Sequence, residues 1–336
     1  MRIKLQLTGN DNCGRKALEM MRSVLASLVI IGLAGCRGGS PVGRSPDLVP
    51  GVVGLASDFS SASWISANAK SRDLLYVTNS KTVTIYSYPQ GKLEGSIAFG
   101  YSPSGECTDR KGDVFVTNLD TSQIIEYRHG EKKPAAVLQS PSADAAGCAI
   151  DPTNGNLAVS SLGFGANGSV AVFKRARGKP VTYQDPTFQE YFLCGYDPKG
   201  NLFVDGLDKP GSFKFAELPQ GKSKFIDITL NPGIVFPGAV QWADNYVAVG
   251  DQGSSIINHY VISGNSGSKA GSTSLGSDVG PVFQFLIAQK RIIVPNQCKG
   301  SCTGNVMYFN WPAGGDATKV FSHGVRYPHG VALSKA

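Results

Sequence analysis

The chain has 336 residues and a formal net charge of +7, from 32 Lys and Arg against 25 Asp and Glu. Much of the excess is N-terminal: residues 1–35 hold five basic and two acidic residues, and without them the charge is +4. No basic run interleaves with aromatic residues, and the cluster at Lys174, Arg175 and Arg177 is expected on an exposed strand end, so a nucleic-acid partner has no support.

The first predicted element is a leader over residues 1–35. Lys16 and Arg22 make a basic segment ahead of an apolar stretch at 24–33, too short for a stop-transfer helix. The stretch runs into Leu33-Ala34-Gly35-Cys36, which resembles the bacterial lipobox. The resemblance implies export, cleavage and lipid attachment at Cys36, with the body anchored to a membrane of the cell envelope. The residue after Cys36 is not Asp, which by the same resemblance favours the outer membrane or cell surface in a double-membraned host. Three of the four methionines fall within the first 21 residues, and Met21-Arg22-Ser23 would make a compact basic segment, so the true start is expected at Met20 or Met21. The alternative is an ordinary signal peptide with a coincidental cysteine. Residues 36–63 are rich in Gly, Pro and Ser and read as a flexible tether.

From there one phrase recurs six times: LLYVTN at 74–79, VFVTN at 114–118, LAVSS at 157–161, LFVDG at 202–206, VAVGD at 247–251 and IIVPN at 292–296. Its anchor valines are Val77, Val116, Val159, Val204, Val249 and Val294, spaced by 39, 43, 45, 45 and 45 residues. A strand-built period in the low forties predicts a β-propeller. A second alternating strand follows each phrase, at 82–88, 123–129, 169–174, 212–218, 256–262 and 305–311, and weaker third strands follow at 95–99, 135–138 and 225–230. Glycine-rich stretches at 163–168 and 264–271 read as hairpin tips. Short strands precede the phrases at 106–109, 147–151, 194–197, 238–242 and 283–287, and three of these run into Asp-initiated turns closed by Gly. The unit is therefore a four-stranded blade.

The first repeat lacks such a preceding strand, and the chain ends on one without a phrase after it, at 330–334. Ring closure follows: an all-β, six-bladed propeller over residues 64–336, with the C-terminal strand as the inner strand of the first blade. Closure also removes exposed sheet edges. The stretch from Gly147 to Val159 resembles NHL-type and gluconolactonase-like six-bladed propellers, and the phrases at 74–79 and 200–206 resemble those of bacterial propeller lipoproteins. The resemblance is specific for fold and weak for activity. Glu106 matches the place of a metal-holding acid in the lactonase-like group, but the Glu-Gly-Pro phrase of that group is missing, as is the His and Glu pair of the streptogramin-lyase group.

Cys107, Cys148 and Cys194 fall on inner strands and read as buried free thiols, on adjacent blades too far apart to share zinc. Cys298 and Cys302 sit in the loop of the last blade and are expected to form a disulfide in an exported protein. The phrases end on Asn79, Asn118, Ser161, Gly206, Asp251 and Asn296, with Asp205 one place earlier, all on the face where loops lead into the inner strands. Asn79, Asn118, Asp205, Asp251, Asn296 and His329 are the candidate ligand-binding residues, able to hold a small polar or glycan ligand or a divalent cation such as calcium. The competing reading is that the Asn and Asp side chains bond their own turns. His329 is the candidate catalytic residue, with a structural role as its alternative, while His129 and His259 are expected at the surface. The function expected is a membrane-anchored binding or protein-interaction scaffold, acting as a monomer. The alternative is a metal-dependent lactonase or lyase working at the channel mouth.

Overall fold

In the computed structural model, which describes residues 63–100, 102–297 and 303–336, each recurrent phrase is the second strand of a blade. Blade 1 orders its strands from the inside as Val331–Ser334, Leu74–Thr78, Thr82–Ser87 and Leu93–Ala98. Blade 2 follows as Pro103–Thr108, Val114–Asn118, Gln123–Tyr127 and Pro134–Gln139. Blade 3 is built from Ala145–Ile150, Leu157–Ser161, Ser169–Phe173 and Val181–Tyr183, and blade 4 from Glu190–Tyr196, Leu202–Leu207, Phe213–Leu218 and Ile226–Asp227. Blade 5 has Pro237–Ala243, Tyr246–Asp251, Ile256–Ser263 and Ser266–Ser274, and blade 6 has Leu286–Ala288, Arg291–Asn296, Asn305–Asn310 and Gly314–Phe321. Each inner strand packs on the next around the ring, including the last on the first.

Closure occurs where the sequence predicts it. The C-terminal strand pairs antiparallel with the first phrase, Val331 opposite Val77 and Leu333 opposite Leu75. The irregular segment before that phrase goes outside: Trp64–Ile65 adds a short fifth strand to the outer edge of blade 1.

The phrases read as near-continuous apolar runs because both faces of each blade are covered. Leu75 and Val77 pack with Ile293, Val306 and Tyr308 of blade 6, while Leu74 and Tyr76 pack with Val114 and Val116 of blade 2. All six anchor valines are fully buried, each worth about 1.5–3 kcal/mol relative to exposure.

Three expectations are corrected. The predicted strand at 225–230 is two strands: Ile226–Asp227 ends blade 4, and Thr229–Asn231 pairs in parallel with the outer strand of blade 5. The glycine-rich stretch at 264–271 is a tight turn leading straight into that outer strand, Ser266–Ser274. His259 is a core residue and His129 is half-buried, because third-strand side chains still lie between blades. The His259 ring stands 4.5 Å from the Trp311 ring, with Nε2 3.0 Å from Thr273 Oγ1, and His129 Nδ1 lies 2.6 Å from Ser334 Oγ on the closing strand.

Candidate functional site

The inner strands run through the ring in one direction. The face where they begin is called upper here, and the face where they end lower. The second strands run the opposite way, so every phrase ends at the upper face.

The polar residues that end the phrases are occupied by their own loops. Asn79 donates Nδ2–H to Val77 O and to Thr84 Oγ1 and accepts from Arg326 N. The Oδ1 of Asn118 accepts from Thr121 N. Asp251 accepts from the backbone N–H groups of Gly253, Phe236 and Val235. Asn296 accepts from Gly280 N and donates to Asn305 Oδ1. Asn118 and Asp251 thus cap the turn that follows their strand, as short Asn and Asp side chains do in tight loops, while Asn79, Asp251 and Asn296 also hold the loop leading to the inner strand of their own blade. Among the described residues no three His, Cys, Asp or Glu side chains are placed to share a metal ion.

The residue before each of these, directly after the anchor valine, has a different task. These residues are Thr78, Thr117, Ser160, Asp205, Gly250 and Pro295. Thr78 Oγ1 donates to Ser104 O of blade 2 at 2.6 Å and accepts from Gly330 N at 2.6 Å. Thr117 Oγ1 lies 3.1 Å from Gly105 O in its own blade and 3.0 Å from Ala146 O in blade 3. Ser160 Oγ donates to Phe192 O of blade 4 at 2.7 Å. Asp205 accepts from Leu193 N in its own blade and from Gly238 N in blade 5, both at 2.9 Å. Inner-strand ladders slip register at Pro103/Glu106, Tyr191/Cys194 and Pro237/Val240, which leaves peptide groups there without ladder partners. The phrase side chains satisfy them and fasten each blade to the next.

Gly250 and Pro295 have no polar side chain, and two glutamines take over the last two seams. Gln241 of blade 5 accepts from Ile287 N at 2.8 Å and donates to Ile287 O at 2.9 Å in blade 6. Gln284, just ahead of the inner strand of blade 6, accepts from Glu106 N at 3.0 Å and donates to Glu106 O at 2.7 Å. Its oxygen also lies 3.3 Å from Val331 N, so it joins blades 6, 1 and 2. Asp205, a ligand candidate by sequence, is therefore one member of a belt of latches. Its carboxyl is fully enclosed, and burial drives its pKa well above the usual carboxylate range against the pull of the two N–H groups.

Below this belt the inner strands surround a partly open cavity of about 280 Å³. It is lined at 106–108, 148–150, 193–196, 239–242, 284–286 and 331–333, by every inner strand, and by Pro152 of the lower-face turn. At the belt level the strands come too close for side chains. A Cβ on Gly330 would sit 2.3 Å from Ser104 O, and one on Gly105 2.6 Å from Ala146 O.

Six residues opposite the anchor valines form one level of this channel: Glu106, Cys148, Cys194, Val240, Phe285 and Val331 in blade order 2–6 and 1, five of them shown by direct pairing and Phe285 by the register of its strand. Glu106 is 1% exposed, and neither carboxylate oxygen has a hydrogen-bond partner. Burial alone raises its pKa well above the ordinary range, and no basic side chain offsets this. Cys148 forms a disulfide with Cys107, Cα atoms 5.7 Å apart, which corrects the reading of both as free thiols. The one-residue offset of Cys107 from the shared level turns its side chain towards blade 3, where Cys148 points back towards blade 2. Cys194 is a buried free thiol as expected, its pKa pushed up to about 12 by burial. The pair Cys298 and Cys302 and the lipidation residue Cys36 lie outside the described residues.

His329 sits at the upper face, away from the cavity lining. Its backbone N–H donates to Thr78 O, its ring stands 6.1 Å from Phe283 at a near-perpendicular angle, and its Nδ1 is buried without a partner. Burial lowers its pKa, partly opposed by the Pro103 backbone.

Fold and channel together define a six-bladed β-propeller. No family model matches the chain, and no curated protein matches it either. Solved structures share its fold. A chain of a nidogen/laminin complex superposes with a TM-score of 0.64 at 11% identity over 78% of this chain and 98% of its own. A protein of unknown function from Bacteroides caccae gives 0.61 at 10% identity over 79% and 100%. A functionally unknown protein from Desulfotomaculum acetoxidans gives 0.55 at 11% identity over 78% and 99%. At these identities the likeness is one of fold.

Proposed function

We propose that the chain is an extracytoplasmic binding scaffold, tethered to a membrane of the cell envelope through lipid on Cys36. The observation that carries the reading is the latched ring around a preformed cavity. Asn79, Asn118, Asp251 and Asn296 of the upper face and the side chains of the belt are held by hydrogen bonds within the ring, so the ring offers a fixed surface and a fixed channel. Preformed concave sites of this kind bind without a large ordering cost. The Cys107–Cys148 disulfide favours an oxidising compartment, in line with the lipobox-like Leu33-Ala34-Gly35-Cys36. A fold neighbour in a nidogen/laminin complex fits a propeller working as an interaction platform.

The test is purification of the full chain from the membranes of its own source under mild detergent. The reading expects globomycin-sensitive processing, a lipidated Cys36 by mass spectrometry, and a stoichiometric partner or small ligand that copurifies. A soluble, unlipidated protein that turns over lactones or glycans would overturn it.

A further inference from the structure

The channel level that holds Glu106 carries a second conclusion, which rests on the binding reading and names its ligand class. Glu106 is one of the residues lining the cavity, and its carboxyl is buried with no hydrogen-bond partner on either oxygen. It makes no ion pair, although Glu94 and Glu126, buried to a similar degree, are each paired with an arginine. Its backbone N–H and C=O are both taken by Gln284, so the strand is fixed while the side chain is left unmatched. Buried carboxylates without partners are costly and therefore rare.

The rest of the lining narrows what could match it. Tyr196 and Trp242, both partly exposed, line the same cavity, as does Phe285, whose side chain packs in the core beside blade 5. Aromatic faces attract cations, and a single carboxylate gives a cation with N–H groups its hydrogen-bond acceptor. A divalent metal would need several oxygen ligands, and no second acid lines the cavity. The volume of about 280 Å³ lies near the lower end for small-molecule sites.

We infer that the central channel binds a small organic cation with N–H donors, a primary ammonium or a guanidinium, that pairs with the Glu106 carboxylate against the aromatic wall. N–H donors are required because both carboxylate oxygens lack partners, so a quaternary ammonium of equal size would bind less well.

The probes are n-butylammonium, n-butylguanidinium, tetramethylammonium, n-butanol and butyrate, titrated by ligand-observed NMR into the full chain. The expected order is butylammonium and butylguanidinium well ahead of tetramethylammonium, with butanol and butyrate at least tenfold weaker than the primary cations. Glu106→Gln, checked for a native near-ultraviolet spectrum, is expected to reduce butylammonium affinity at least tenfold and leave butanol unchanged. Equal binding of butanol and butylammonium to the unmodified protein overturns the inference without any variant, as does undiminished butylammonium binding by Glu106→Gln. If all five probes fail to bind while a partner or another ligand copurifies from the membrane, the inference falls and the scaffold reading stands.

Discussion

The side-chain amide of Gln284 lies against the peptide of Glu106 as a neighbouring strand would, accepting from its N–H at 3.0 Å and donating to its C=O at 2.7 Å. Residues 178 apart in sequence, in blades 6 and 2, are thereby joined across the closing strand of blade 1. Gln241 does the same to Ile287 one seam earlier. These two contacts complete the belt begun by Thr78, Thr117, Ser160 and Asp205.

Gln284→Ala leaves a buried N–H and a buried C=O on Glu106 without partners. An expected loss of about 2–6 kcal/mol follows from a desolvation cost of about 1–3 for each such group, measured by urea unfolding. Gln284→Glu offers no donor to the Glu106 carbonyl and places a second acid near Glu106, so it is expected to be worse than alanine above neutral pH.

Asp205→Ala strips two backbone N–H groups, of Leu193 and Gly238, of their acceptor. It is expected to cost about 2–6 kcal/mol, at about 1–3 for each orphaned group. Asp205→Asn keeps one good acceptor and should fall between the two. Were Asp205 a calcium ligand instead, the unmodified protein would gain melting temperature with added calcium. The latch role predicts no gain.

Removing the Cys107–Cys148 disulfide, by Cys107→Ala with Cys148→Ala, frees a loop with a sequence separation of 41. The expected loss is about 2–4 kcal/mol. The checks are a melting shift of the double variant and a matching shift of the native protein under reductant.

Glu106 gives the ring a pH dependence with a definite sign. Its folded-state pKa lies well above the ordinary 4.5 because of burial. Between 4.5 and that raised value the folded chain holds a proton that the unfolded chain has lost, so Glu106 lowers stability as pH rises through this window. Glu106→Gln should therefore gain stability over the native protein as pH rises from 5 to 8, with the two converging near pH 4. Paired unfolding curves across that range check it. A pH-independent difference would show that the carboxyl is ionised and matched.

The repeat was legible because a radial blade buries both faces: runs such as Leu74-Leu75-Tyr76-Val77 have no solvent side. The seam was legible because the strand at Val331–Ser334 had no partner phrase. The site was less so. In Val-Asp-Gly at 204–206 the aspartate looks like a ligand, although its position equals Thr78, Thr117 and Ser160. That alignment of hydroxyls and one acid directly after the anchor valine was the available signal for the belt. Gln241 and Gln284 left no signal, since their partners are backbone groups of other blades. The disulfide was hidden by the same offset that makes it possible: Cys107 sits one residue off the level of Cys148, and a shift of one residue turns a strand side chain to the opposite face. His259 was misplaced because distance from the channel does not mean exposure when Trp311 of the next blade covers it.

The most direct measurement is a crystal structure of the full chain purified from its own membranes, with no ligand added. The account predicts density for a small organic molecule in the central channel, with a nitrogen within hydrogen-bond distance of the Glu106 carboxylate and the upper-face loops bonded as described. A channel holding only water, with a metal or ligand bound instead among Asn79, Asn118, Asp251, Asn296 and His329, would contradict it.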